Sequence, residues 1–284
     1  MLTSKNQVAQ SKVGANVHNT VIRRQARPGW VLIDFAELWQ YRELLIFYAF
    51  RDIKVRYKQT LIGASWAILQ PLMTMVVFSI FFGKLAGVPS DGLPYPVFSF
   101  CGLLPWQLFA FALTQSSNSL VQNAHVLTKV YFPRLIMPFS SVIVGLVDFV
   151  IAFVVLLGIM FYYDAIPGLA LLTLPFFVLL AIAAALSVGL WLSALNVKYR
   201  DVRYTIPFLA QFWLFVTPIA YPSSLVPSKW QTVYAINPMV GVVEGFRWAL
   251  LGSSAPPGVM LIVSAAATAI LLAGGLFYFA RMEK

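Results

Sequence analysis

"LTKVYFPRLIMP", residues 127–138, is a short polar interruption between two long apolar runs. Lys129, Tyr131, Pro133 and Arg134 stand together there, in a chain that is 60% hydrophobic and only 11% charged. With a mean hydropathy of +0.80, a soluble fold would have too little polar surface to face water. The apolar runs are therefore membrane spans, and the interruption is a loop joining two of them.

Working outward, a helix needs about 20 apolar residues to cross roughly 30 Å of hydrocarbon. Runs at 62–82, 97–113, 135–161, 169–195 and 259–280 meet or approach this, the first centred on Pro71 and the second interrupted by Pro105. A sixth, 206–220, is short and framed by Pro207 and Pro218. The expectation is an all-α integral membrane protein of six spans.

Charge sets the orientation, because Lys and Arg are retained on the cytoplasmic side. Of the 20 Lys and Arg, 17 fall before the first span, in the loops after the second and fourth, or in the tail. Only Lys84, Lys229 and Arg247 fall on the other side. Both termini and the 127–138 loop are thus placed in the cytoplasm. Topology accounts for the net charge of +10, which does not point to nucleic acid. No signal-peptide pattern opens the sequence, and one cysteine, Cys101, provides no disulfide framework.

Before the first span the chain reads in two parts. Residues 1–33 are polar and read as a flexible cytoplasmic tail. Residues 34–61 open with Asp34 and Glu37 at capping-box spacing and continue with Phe35, Leu38, Trp39, Tyr41, Leu45, Phe47 and Tyr48. This predicts an amphipathic helix lying on the inner leaflet, aromatic rings at headgroup depth. Its end, Arg51, Lys54, Arg56 and Lys58, reads either as inside anchoring by snorkelling cations or as a site for a lipid headgroup or lipid-linked pyrophosphate. The remainder, 62–284, forms the transmembrane domain.

After the fifth span, residues 221–257 are moderately apolar and broken by prolines. Within them Glu244 and Arg247 are spaced to pair on one helix face. Two charges in so short a stretch suit helices dipping back from the outer side and packed in protein. A seventh span would place the basic tail outside.

The chain has no catalytic or metal-binding pattern of its own. Gly83-Lys84 lacks the glycine five residues earlier and the Ser/Thr that follows in a phosphate-binding loop. His18 and His125 have no acid or thiol cluster beside them. Asp148 stands alone within the third span, where a carboxylate costs about 2.5–3.5 kcal/mol. It is read either as a partnered structural or subunit-contact group or as part of a transport path.

Four blocks, "RDIKVRYKQTLIGASWAILQPL" (51–72), "LTKVYFPRLIMP", "NVKYRDVRY" (196–204) and "TPIAYPSSLVPSKW…NPMVGVVEGFRWALLG" (217–252), occur in an order that resembles one family. It is the membrane subunits of type-2 ATP-binding-cassette transporters exporting O-antigen, capsule or teichoic acid. The resemblance, from about residue 34 onward, implies six spans, an interfacial helix, re-entrant helices between spans five and six, and a homodimer with two separate ATPase subunits. ATP and Mg would be bound by those partners, and this chain would carry no cofactor. Residues 123–134 would form a short coupling helix on the ATPase, using Asn123, Lys129, Tyr131, Phe132, Pro133 and Arg134. Membrane anchoring by Tyr131 and Arg134 is the other reading. Arg200 and Asp201 of the next cytoplasmic loop have the same two readings.

A lipid-linked polysaccharide would then pass through a channel at the dimer interface, guided by aromatic rings against its C–H faces. Candidates are Phe78, Phe81, Phe82, Phe208, Phe212, Trp213 and Phe215, with Tyr221, Trp230 and Tyr234 as an outer gate; lipid contact or packing would equally explain them. Three other readings stand beside this one. They are a type-2 permease for lipids or drugs, an ion-coupled flippase or secondary transporter using Asp148, and a membrane-embedded acyl- or glycosyltransferase, whose acid or histidine is missing.

Overall fold

A computed structural model describes residues 35–58, 65–252 and 256–282. The 1–33 tail, Asp34 of the capping box and the junction at 59–64 lie outside the described residues. Among those described, the chain is helical with no strand. The order is α1 (Phe35–Gln40), α2 (Arg42–Lys58), α3 (Ser65–Phe78) with a π-helical continuation (Ser79–Leu85), α4 (Tyr95–Gln122), α5 (Ala124–Leu127) and α6 (Ile136–Tyr162). A 3-10 turn (Leu169–Thr173) leads into α7 (Leu174–Lys198), followed by α8 (Val202–Val216), α9 (Ser228–Tyr234), α10 (Pro238–Leu251) and α11 (Gly258–Met282). Five helices are long and apolar enough to cross a membrane: α3 with its continuation, α4, α6, α7 with its 3-10 turn, and α11. The sixth expected span is α8, with 15 residues shorter than the other five.

The organising element is α4, which packs against α3, α6, α7, α8 and α10. It runs to Gln122, well past the expected end at 113, through Ser116, Ser117, Asn118 and Ser119. Each polar side chain of this run returns a hydrogen bond to a carbonyl three or four residues back, such as Ser117 to Leu113 at 2.6 Å and Asn118 to Thr114 at 2.8 Å. With their donors satisfied inside the helix, these residues do not end it.

Small residues let the bundle close, because lipid supplies little hydrophobic drive between helices and close packing must substitute for it. A Cβ on Gly189 of α7 would sit 2.2 Å from the Ser116 hydroxyl oxygen of α4, and one on Gly245 of α10 would sit 2.0 Å from the Phe177 ring. An alanine at 245 would collide with the ring, and one at 189 would force the Ser116 hydroxyl to move. Of the 14 residues of α10, Trp248 and Leu251 alone escape full burial, so α10 faces protein, against α4, α7 and α11. Gly252, at φ 59°, ends it in the left-handed conformation that glycine adopts without strain.

Candidate transport site

At the end of the bundle bearing the basic loops, α2 packs on α6 and on the 123–135 connection. Asn123 caps the end of α4. Its amide donates to Ser119 O at 2.9 Å, and its Oδ1 accepts from Arg51 Nη2 at 3.0 Å. Beside this contact the Tyr48 and Phe132 rings meet at 5.8 Å, and the Arg51 guanidinium lies 4.7 Å from the Tyr48 ring. The expected coupling helix over 123–134 is one turn, Ala124–Leu127, followed by hydrogen-bonded turns. The aromatic pair of that loop is split. Tyr131 is 64% exposed, whereas Phe132 is 3% exposed and turned inward onto α2. Burial against Tyr48 removes Phe132 from any partner's reach and makes it the joint between loop and helix. Lys129 and Arg134 are exposed, Pro133 half-buried, and Arg200 and Asp201 form the exposed turn before α8.

The basic junction divides in the same way. Arg51 pairs with Asp52 at 2.7 Å, and Arg56 Nη2 reaches Asp148 Oδ2 on α6 at 2.6 Å. Arg56 also lies 4.6 Å from the Phe111 ring, and the Tyr57 hydroxyl donates to the second Asp148 oxygen. Asp148 is therefore a partnered carboxylate. Burial and the hydrogen bond to Asp148 push the Tyr57 phenol up to about 12, which keeps it the proton donor. Lys54 and Lys58 are exposed and are the members of the junction whose ammonium groups face outward.

Above this pair opens a cleft of about 500 Å³ between α3, α4, α6 and α8. Arg56 and Asp148 stand in its wall with Gln70 and Thr74 of α3, Gln107, Phe111, Thr114 and Gln115 of α4, and Gln211 of α8. Apart from Asp148, for which a path role is one of two readings, the sequence suggests aromatic candidates for the channel. Of these, Phe78 and Phe215 line the cleft, with Phe111, Trp106 and Phe149 beside them. Phe82 stacks edge-on against Phe78 at 5.2 Å, while Phe81, Phe208 and Phe212 are exposed on the outside of the helices. Glutamines at span depth were the available signal for the cleft, since amides are costly in hydrocarbon unless they meet protein or water.

The opposite end is a clamp on the turn Thr217–Tyr221. Asn237 caps α10, its Oδ1 accepting from Met239 N at 3.0 Å and from Trp213 Nε1 at 2.8 Å, while its amide donates to Thr217 Oγ1 at 3.1 Å. Buried Arg247 pairs with Glu244 at 3.1 Å, donates to Ile219 O at 2.9 Å and stacks 3.7 Å from the centre of the Phe98 ring. Tyr95 donates to Ala220 O at 2.6 Å. The Tyr221 and Tyr234 hydroxyls meet at 2.9 Å, with Tyr221 donating onward to Phe215 O at 3.1 Å. Trp230 remains exposed at 54%.

A bundle tied at both ends, with a polar cleft at span depth and basic loops at one end, is the architecture of a membrane permease. The sequence matches the family described as ABC-2 type transporter over residues 43–251, and the chain belongs to it. Among its relatives is the "O-antigen export system permease protein RfbA" of Myxococcus xanthus, 31% identical over 252 residues, covering 87% of this chain and 96% of the relative. A Klebsiella pneumoniae protein of the same name is 29% identical over 206 residues, 72% of this chain and 79% of that one. The "Polysialic acid transport protein KpsM" of Escherichia coli is 24% identical over 241 residues, 82% and 91% of the two chains.

Proposed function

We propose that this chain is the permease subunit of an ATP-driven exporter that moves a lipid-linked polysaccharide from the cytoplasm across the inner membrane. The observation that carries the reading is the near full-length similarity to permeases named for O-antigen export, joined to a polar cleft at the depth of the spans. The permease works as a homodimer with two copies of a separate ATPase, its termini cytoplasmic, α8 serving as the fifth span and α9 with α10 as the re-entrant pair. Lys129, Tyr131 and Arg134 are exposed on the loop that follows α4, where a partner could seat. Force applied there reaches α2 through the Tyr48–Phe132 and Arg51–Asn123 contacts.

Ion coupling through Asp148 loses support from the geometry, since both of its oxygens are engaged by Arg56 and Tyr57. Exposed Lys54 and Lys58 remain suited to a pyrophosphate or lipid phosphate at the inner leaflet.

The test is co-purification from detergent with the ATPase subunit, comparing wild type with Tyr131→Ala/Arg134→Ala. Phe132 is left intact because it is a packing residue. Loss of the ATPase from a variant that still elutes as wild type supports the coupling role. An ATPase that binds neither form removes the motor from the proposal.

A further inference from the structure

Amides sort into two groups in this bundle. Asn118, Asn123, Asn196 and Asn237 all hydrogen-bond to protein: Asn196 to Ser117 O at 3.0 Å and Asn118 Oδ1 at 3.1 Å, Asn237 across the α8–α10 contact. Gln231 of the short α9 likewise donates to Val226 O at 3.1 Å, but the glutamines of α3, α4 and α8 behave oppositely. Helices α6, α7, α10 and α11 hold none, and Gln122 stands at the terminus of α4. The other glutamines of α3, α4 and α8 are Gln70, Gln107, Gln115 and Gln211, and all four line the same cleft. Their side chains carry no hydrogen bond to a described residue, although the neighbouring Thr74 and Thr114 hydroxyls donate to Gln70 O and Ala110 O of their own helices.

Four open amides from three helices, converging on one cleft at span depth, are not explained by folding. Each would be better replaced there by leucine if stability were its only role. On α4 the order is Gln107, Phe111, Gln115, spaced i, i+4 and i+8 on one face and rising about 12 Å. An amide, a ring and an amide follow one another along the wall.

We propose that Gln70, Gln107, Gln115 and Gln211 form a hydroxyl-binding track that contacts an uncharged, polyhydroxylated stretch of the transported chain. This rests on the exporter reading above and adds the chemistry of its cargo contact. A neutral amide offers two donors and an acceptor, so it accommodates a sugar hydroxyl in either role and does not demand one configuration. Phe111 meets the apolar C–H face between two such contacts. Charge at the inner end of the cleft is compensated, Asp148 by Arg56 at 2.6 Å, which suits an uncharged segment over a pyrophosphate. Uncharged amide–hydroxyl bonds are individually weak against water, so the polymer is guided without being trapped.

The experiment expresses the full chain with its ATPase in cells whose own exporter is deleted and measures surface polysaccharide per permease molecule, with thermal unfolding and oligomeric state of the purified protein alongside. For Gln107→Leu/Gln115→Leu, export is expected to fall about fivefold for each amide removed, the factor of one lost hydrogen bond. Unfolding temperature should be unchanged or higher, and Gln107→Asn should retain more export than Gln107→Leu. Unchanged export in the double variant overturns the track. So does a fall in unfolding temperature or loss of the oligomer, which would make the amides a structural or subunit contact. Wild type that places no polymer outside sinks the exporter reading itself, a result separable from the others by its control.

Discussion

Two arginines in this molecule share a chemical setting and differ in what surrounds it. Arg56 has Asp148 at 2.6 Å and the Phe111 ring at 4.6 Å, and its side chain is 35% exposed in the wall of the cleft. Arg247 has Glu244 at 3.1 Å and the Phe98 ring at 3.7 Å, with its side chain 4% exposed. Arg247 also holds the Ile219 carbonyl, and its Nε has no hydrogen-bond partner among the described residues. A buried pair cannot open without stranding a charge in protein or lipid, so Arg247 fixes α10, α4 and the Thr217–Tyr221 turn as one block. The Arg56 pair borders an open cleft, where water can replace either partner. The two ends are therefore tied differently, one by a buried ion pair and the other by a pair at the edge of an open cleft.

The largest effect that would break this contrast is at the buried pair. Arg247→Met leaves Glu244 buried without a counter-charge, which costs about 3–5 kcal/mol. The expected outcome is little folded protein by size-exclusion chromatography, with partial recovery in Arg247→Met/Glu244→Gln, where no lone charge is left. An Arg247→Met protein that unfolds at the wild-type temperature would show that the clamp does not hold the fold.

A smaller effect is expected at the open end. Asp148→Asn and Arg56→Gln each remove a part-exposed pair, of which the net contribution is about 1 kcal/mol or less. Both variants should fold and assemble, with surface polysaccharide reduced by roughly twofold to fivefold. Complete loss of export in Asp148→Asn, with Arg56→Gln near wild type, would restore ion coupling through the carboxylate. The two outcomes separate a latch, in which both partners matter alike, from a proton or ion site, in which one does.

The same contrast explains how much was legible in the sequence. The five long apolar helices follow from hydropathy, because lipid imposes it along the chain. Glu244 and Arg247 lie three residues apart, so one helix turn brings them together and spacing alone suggests the contact. Arg56 and Asp148 are 92 positions apart, and nothing local distinguishes an anchoring arginine from a paired one. Phe132 beside Tyr131 reads as a matched aromatic pair until α2 is laid on the loop and separates them. The end of α4 was misplaced because serines read as a break in hydropathy, while their hydroxyls bond within the helix. The cleft was missed because aromatics drew the reading and the sparse glutamines did not, although unpaired amides among apolar residues are the stronger sign of a wet surface.

The finest test of the open end is Tyr57→Phe, which deletes one donor to Asp148 and leaves Arg56 in place. The hydrogen bond is worth about 1 kcal/mol or less, so export should fall less than in Asp148→Asn. Its pH behaviour sharpens the point. Burial and Asp148 raise the phenol to about 12, above the ordinary 10.0 of a tyrosine, so its stabilising bond is fully present below about 10 and is lost only as pH rises through about 12. Unfolding temperatures of wild type and Tyr57→Phe should therefore run parallel from pH 6 to about 9. Curves that diverge within that range would show that the substitution removes more than one hydrogen bond. Parallel curves with a small constant offset would leave Tyr57 as an orienting donor and Arg56 as the principal partner of the carboxylate.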